Sequence, residues 1–148
     1  MKITDCILCE DIRHEIDNKQ SLMGIFGDKI LVRVPAEIKE KQQVTIRLGI
    51  FVRLLFEEVD WQQKVQQLEL MILYAGNSKS LGKGPIKLKK DEFFNKMAVL
   101  SAIINNFPVT ENGEIQIMVN LFDAKGVKNS SSPANQPVKI ELGPSGEK

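Results

Sequence analysis

The chain has 148 residues, a length that buries roughly two-thirds of the unfolded surface in one domain and needs no metal or disulfide to hold it together. Lys plus Arg is 20 and Asp plus Glu is 19, giving a net charge of +1, so a general phosphate-binding surface is not indicated, nucleic acid is not an expected partner and any basic patch must be local. The N-terminus has no apolar run with a cleavage site and no stretch approaches about 18 uncharged apolar residues, so the sequence predicts a cytoplasmic protein with free thiols and no membrane contact.

Residues 3–16 alternate loosely, with Thr4, Cys6, Leu8, Glu10, Ile12 and His14 on one face and Ile3, Asp5, Ile7, Cys9 and Asp11 on the other. A polar turn follows at Asp17–Gln20. Ser21–Phe26 and Lys29–Val34 flank Gly27-Asp28, which predicts a two-residue hairpin with glycine first. Pro35 ends that ladder because it has no N–H to donate, and residues 36–43 form a polar loop.

The strongest signal comes next. Val44, Ile46, Leu48, Ile50, Val52, Leu54 and Phe56 occupy every second position, and a period of two puts them all on one face of a strand. The opposite face, Thr45, Arg47, Gly49, Phe51, Arg53, Leu55 and Glu57, is mixed, as in an antiparallel sheet with its core on one side. Phe51 and Leu55 on that outer face predict a cover, supplied by a loop, by the segment 91–107 or by a second copy.

Glu58–Gln63 leads into a strand over 64–75, where Leu68, Leu70, Ile72 and Tyr74 share a face. Residues 76–90 are rich in Gly and Lys and are expected to form a loop. Phe93, Met97, Leu100, Ile104 and Phe107 follow a helical spacing behind Asp91, a candidate N-cap. The many neighbouring strands instead favour a short helical turn near 91–96 and then a strand to 107. Asn112-Gly113 opens a strand over Glu114–Phe122, Asp123–Gly126 turns again, Asn129–Gln136 is a polar loop and Val138–Leu142 is a last short strand. The expected architecture is all-β: a single-domain antiparallel β-sandwich over 1–142, immunoglobulin-like or C2-like, with seven or eight strands, at most one short helix and a frayed tail at 143–148.

Few motifs carry chemistry. Cys6-x-x-Cys9 sends its side chains to opposite faces of a strand, with Cα atoms about 10 Å apart. There is no second CxxC and no helix N-terminus beside it, so small buried hydrophobes are expected rather than a metal or redox site. Gly76–Gly84 imitates a phosphate loop, but five residues separate Gly76 from Gly82, Gly84 stands where a hydroxyl must hold magnesium, and Pro85 follows. Glu57, Glu58 and Asp60 are expected to be solvated, as are Glu10, Asp11, Glu15 and Asp17, because their spacing matches no calcium loop. His14 is the only histidine, so any nucleophilic triad would need it; a surface histidine is the simpler reading.

Two features remain as candidate binding elements. Lys79, Lys83, Lys87, Lys89 and Lys90 follow one another with no acidic residue until Asp91, either as a polyanion grip or as lysines guarding an edge strand. Trp61 sits among polar residues, either as part of a binding surface or as a cap on the open end of the sandwich.

The stretch Cys6-Ile-Leu-Cys-Glu-Asp-Ile-Arg13, followed by Ser21-Leu-Met-Gly-Ile-Phe-Gly-Asp28, resembles the opening of a family of small bacterial proteins with a "CEDxR" strand and a "SLxGxYGD" hairpin, Phe26 standing at the aromatic position. Pro108–Ile115 is similar to a later "pGxY" turn of that family and of many immunoglobulin-like sandwiches, with Ile115 in place of the aromatic. The resemblance implies a β-sandwich and supplies no activity, cofactor or site residue. The sequence therefore predicts a non-enzymatic interaction or assembly module without a cofactor, its protein partner or second copy meeting exposed strand edges. The alternative is a ligand- or polyanion-binding domain using the lysines of 79–90 and Trp61.

Overall fold

The computed structural model describes residues 1–35, 43–87, 89–95 and 97–144, with no side-chain description over 93–95. Its strands are β1 (Lys2–His14), β2 (Gln20–Ile25), β3 (Lys29–Val34), β4 (Val44–Leu55), β5 (Val65–Tyr74), β6 (Asn77–Pro85), β7 (Ala98–Val109), β8 (Gly113–Asp123), β9 (Lys128–Pro133) and β10 (Val138–Pro144). Two short helices, α1 (Glu58–Gln62) and α2 (Lys90–Asn95), interrupt them. One sheet has the order β2-β1-β4-β7; the other runs β3-β10-β8-β5-β6, with β9 also paired to β8. The chain is an all-β sandwich; its described residues hold ten strands rather than seven or eight, and two short α-helices and a 3-10 turn at Ile16–Asn18 rather than at most one short helix.

The period-two strands fill the space between the sheets. Leu48, Ile50, Val52 and Leu54 of β4 and Ile115, Ile117, Val119 and Leu121 of β8 are all 0% exposed, each side chain of this size contributing about 1.5–3 kcal/mol when buried. A short helix followed by a strand is also what the segment after Lys89 forms, as α2 and β7.

Several local signals are overruled. The Gly27-Asp28 hairpin does not form: β2 pairs with β1 and β3 pairs with β10, so Phe26–Asp28 crosses from one sheet to the other. Phe26 N–H donates to the Leu8 carbonyl at 2.8 Å, while Ile30 and Val32 enter the second side of the core. The β3–β10 pair is parallel, against an otherwise antiparallel ladder. Residues 77–85 are a strand, not a loop: Ala75 (φ 52°) and Gly76 (φ 73°) both take left-handed conformations, as a type I′ hairpin between β5 and β6 requires. Residues 128–133 are likewise a strand, β9, rather than part of a polar loop.

At one end of the sandwich Asp60 is 1% exposed, not solvated as expected. It accepts a hydrogen bond from the Glu57 amide at 2.8 Å, completing a capping box at the start of α1, and pairs with the Met1 ammonium at 2.6 Å. The polar loop expected over 36–43 falls outside the described residues except Gln43. The tail expected over 143–148 does so except Gly143 and Pro144, which close β10.

Candidate interaction site along the open side of the sandwich

β6 and β7 are end strands of their sheets, and the two lie across from each other along one side of the sandwich. Two clefts run in tandem between them. The larger, about 570 Å³, is walled by Leu81, Gly84, Pro85 and Ile86 from one side and Ala98, Leu100 and Ala102 from the other, over a floor of Phe56, Leu68 and Leu70. The smaller, about 170 Å³, lies between Asn77–Lys79 and Ile104, Phe107 and Pro108. A β-bulge shapes the larger one. Leu70 pairs with Gly82 and Met71 with Ser80, leaving Leu81 as the extra residue, half-buried at the cleft wall.

The same bulge disperses the lysines. Lys79 pairs with the buried core residue Ile72 and Lys83 with Glu69, so two residues four apart, which share a face on a regular strand, stand on opposite faces here. Lys79 lines the smaller cleft and Lys87 the larger. Lys83 lies on the outer face, its ammonium 3.7 Å from the centre of the Phe122 ring. Lys90 begins α2, and the Lys89 amide donates to Glu92 Oε2 at 3.4 Å. The five lysines are therefore not one patch, and only Lys79 and Lys87 border the clefts.

Trp61 is 37% exposed on α1, in a helix where a polar lead-in was expected. With Lys64, Val65 and Gln66 it lines a further cavity of about 630 Å³ that shares Pro85 and Ile86 with the larger cleft. Trp61 thus stands at the mouth of the open side. Sequence reasoning missed the cleft, because β6, which supplies Leu81 to its wall, carries too few apolar residues to announce a strand.

On the outer face of the six-stranded sheet the side chains cover one another. Asn120, 1% exposed, donates to Glu69 Oε1 at 2.9 Å and accepts from Ser131 Oγ at 2.6 Å. That hydrogen bond from Asn120 holds the Glu69 carboxyl below its usual range, with a hydrogen bond from Ser80 and the charges of Lys83 and Lys128 adding to the effect. Apart from Lys83, none of these groups was singled out in the sequence.

The remaining candidates stay apart. Cys6 is half-buried and Cys9 buried, both as free thiols; burial pushes the Cys6 thiol up to about 12, away from the thiolate that reactivity needs. His14 is exposed at the end of β1, paired with Gln20. Asp11 is held below its usual range by the hydrogen bond from Arg47. Among the described residues no three His, Cys, Asp or Glu side chains gather as metal ligands would, and no described helix is long and apolar enough to cross a membrane.

Comparison with known proteins finds no matching family model, no matching curated protein and no matching solved structure.

Proposed function

We propose that this protein is a non-enzymatic interaction module of the cytoplasm whose partner lays an extended segment into the open side between β6 and β7. One observation carries this reading: two sheet ends face each other across an apolar cleft walled by Leu81, Ile86, Leu100 and Ala102. An added strand gains backbone hydrogen bonds from an edge, while its alternate side chains fill the cleft. Lys79 and Lys87 at the two clefts favour a guest with acidic residues beside its apolar ones. Kinship with the bacterial family that residues 6–28 resemble is part of this reading and rests on those residues and on Pro108–Ile115. The alternative, a polyanion- or ligand-binding domain, draws on Trp61, whose cavity opens beside Lys64; the dispersal of the five lysines weighs against it.

The test uses three tagged forms as bait in the native lysate: wild type, Leu81→Glu, and the triple variant Lys83→Glu, Lys87→Glu, Lys89→Glu. A protein retained by wild type, lost with Leu81→Glu and released by a competing synthetic peptide of its own apolar segment supports strand addition. Retention that survives Leu81→Glu but fails in the triple variant, and weakens steeply with salt, transfers the function to the lysines.

A further inference from the structure

The outer face of the four-stranded sheet has a pattern that the clefts do not use. Cross-strand partners share a face, and the register sets them out in rows. Asp5 pairs with Arg53 and Arg53 with Val99; Ile7 pairs with Phe51 and Phe51 with Ser101. The next row is Ile25, Cys9, Gly49 and Ile103, in strand order β2-β1-β4-β7. Beyond it, Arg47 binds Asp11 at 2.8 Å and Asn105, as Arg53 binds Asp5 at 2.6 Å. Between the two charged rows lie the half-buried Ile7 and Phe51 and a row whose middle, Cys9 and Gly49, is buried beside Ile12 and whose ends are the isoleucines. Ile25 and Ile103, at the two ends of their row, are 61% and 37% exposed, and Val99 beside Arg53 is 46% exposed, so uncovered apolar side chains stand on both flanks of this face.

We infer that this face binds the same face of a second copy. The charges select the geometry. Both acids stand on β1 and both arginines on the neighbouring β4. A two-fold axis parallel to the strands, between β1 and β4, lays each Asp5 on the partner's Arg53 and each Asp11 on the partner's Arg47. The same operation sets Ile25 of β2 over Ile103 of the opposing β7 and closes the Ile7–Phe51 row on its own copy. A two-fold axis across the strands stacks Asp5 on Asp11 and Arg53 on Arg47, which like-charge repulsion forbids. The contact is isologous and closes at two subunits. Four strands about 4.8 Å apart over the seven residues from Asp5 to Asp11, rising about 3.3 Å each, make a face of roughly 440 Å² per partner, the size of a small, concentration-dependent interface, and sheets stacked this way sit about 10 Å apart.

The experiment is sedimentation equilibrium over a concentration series, on the full chain, with circular dichroism of each variant as a check on folding. A mass of twice 16.7 kDa is expected for wild type. Arg53→Asp, which faces Asp5 of the second copy with another acid, is expected to raise the dissociation constant at least tenfold. The exchange Asp5→Arg with Arg53→Asp restores both the internal pair and the pair across the two-fold, and is expected to return it to within about threefold of wild type. Ile103→Glu, a change at an exposed position, gives a monomer. Leu81→Glu leaves the dimer intact, which separates this inference from strand addition at the clefts. A monomer at every concentration overturns the inference and leaves the face to a different partner. A dimer indifferent to both Arg53→Asp and Ile103→Glu overturns it as well.

Discussion

The outer faces of the two sheets make a controlled comparison, since both carry a phenylalanine on a central strand. On the six-stranded sheet Phe122 is 8% exposed under the ammonium of Lys83, and beside it Glu69, Asn120 and Ser131 satisfy one another. On the four-stranded sheet Phe51 is half-buried, and exposed isoleucine and valine lie in the neighbouring rows. Around Phe122 the face is closed by its own side chains, Leu31 on the end strand β3 staying 54% exposed; around Phe51 the apolar side chains of β2 and β7 stay uncovered. A buried polar group with its partners in place closes the surface around it, whereas exposed isoleucine and valine beside charged rows leave apolar area open to contact.

The comparison breaks if the two phenylalanines cost the same. Phe122→Ala is expected to destabilise the protein by about 3–5 kcal/mol, and Phe51→Ala by less than about 1.5 kcal/mol when measured on dilute monomer; urea unfolding at low protein concentration decides it. Asn120→Asp, which puts a second carboxylate against Glu69, follows at about 2–3 kcal/mol, with the loss growing as pH rises from 4 to 7. An effect below about half of that would mean that the finished face admits water.

A smaller effect comes from Glu69→Gln. The folded carboxyl titrates below its unfolded value, so its contribution is present above about pH 4.3 and fades as pH falls through the folded value. The stability gap between wild type and Glu69→Gln is therefore widest near neutrality and closes in acid; a gap that widens in acid removes the assigned hydrogen bond. The smallest effect is chemical. Neither thiol of the native protein is expected to react with iodoacetamide at pH 8, where Cys6, pushed up to about 12, and the fully buried Cys9 remain protonated. In urea both should react within minutes. Labelling of Cys9 alone in the native state would show that β1 parts from β4 beside Gly49.

Legibility followed periodicity. β4 and β8 announce themselves because burial on one side forces alternation over a dozen residues. β6 and β9 are silent because they are held by other means. Ser131 is fixed to Asn120 through its hydroxyl, Asn129 donates to the Gln63 carbonyl, and glycine and lysine along β6 keep an edge strand with little to bury. The Gly27-Asp28 turn was a sound local reading overruled by tertiary demand, since Ile30 and Val32 belong to the core of the other sheet. The spacing of Glu57 and Asp60 did carry the capping box, hidden behind their similarity to a surface charge cluster. Of the candidate site, Trp61 and the lysines were visible as residue types. Their division between two faces was not, because it depends on a single extra residue at Leu81.

The parallel pairing of β3 with β10 sets an order of events during synthesis. Lys29 finds its register opposite Lys139, about 110 residues later in the chain. At roughly 5–20 residues per second, a ribosome leaves β3 without β10, its strand neighbour among the described residues, for some seconds after it emerges. The rest of its sheet can zip by local hairpins in that interval, since β5, β6, β8 and β9 are near neighbours along the chain. The nascent polypeptide therefore carries Ile30 and Val32 unsheltered until the last strand arrives, and a chaperone that holds this protein would be expected to grip it there.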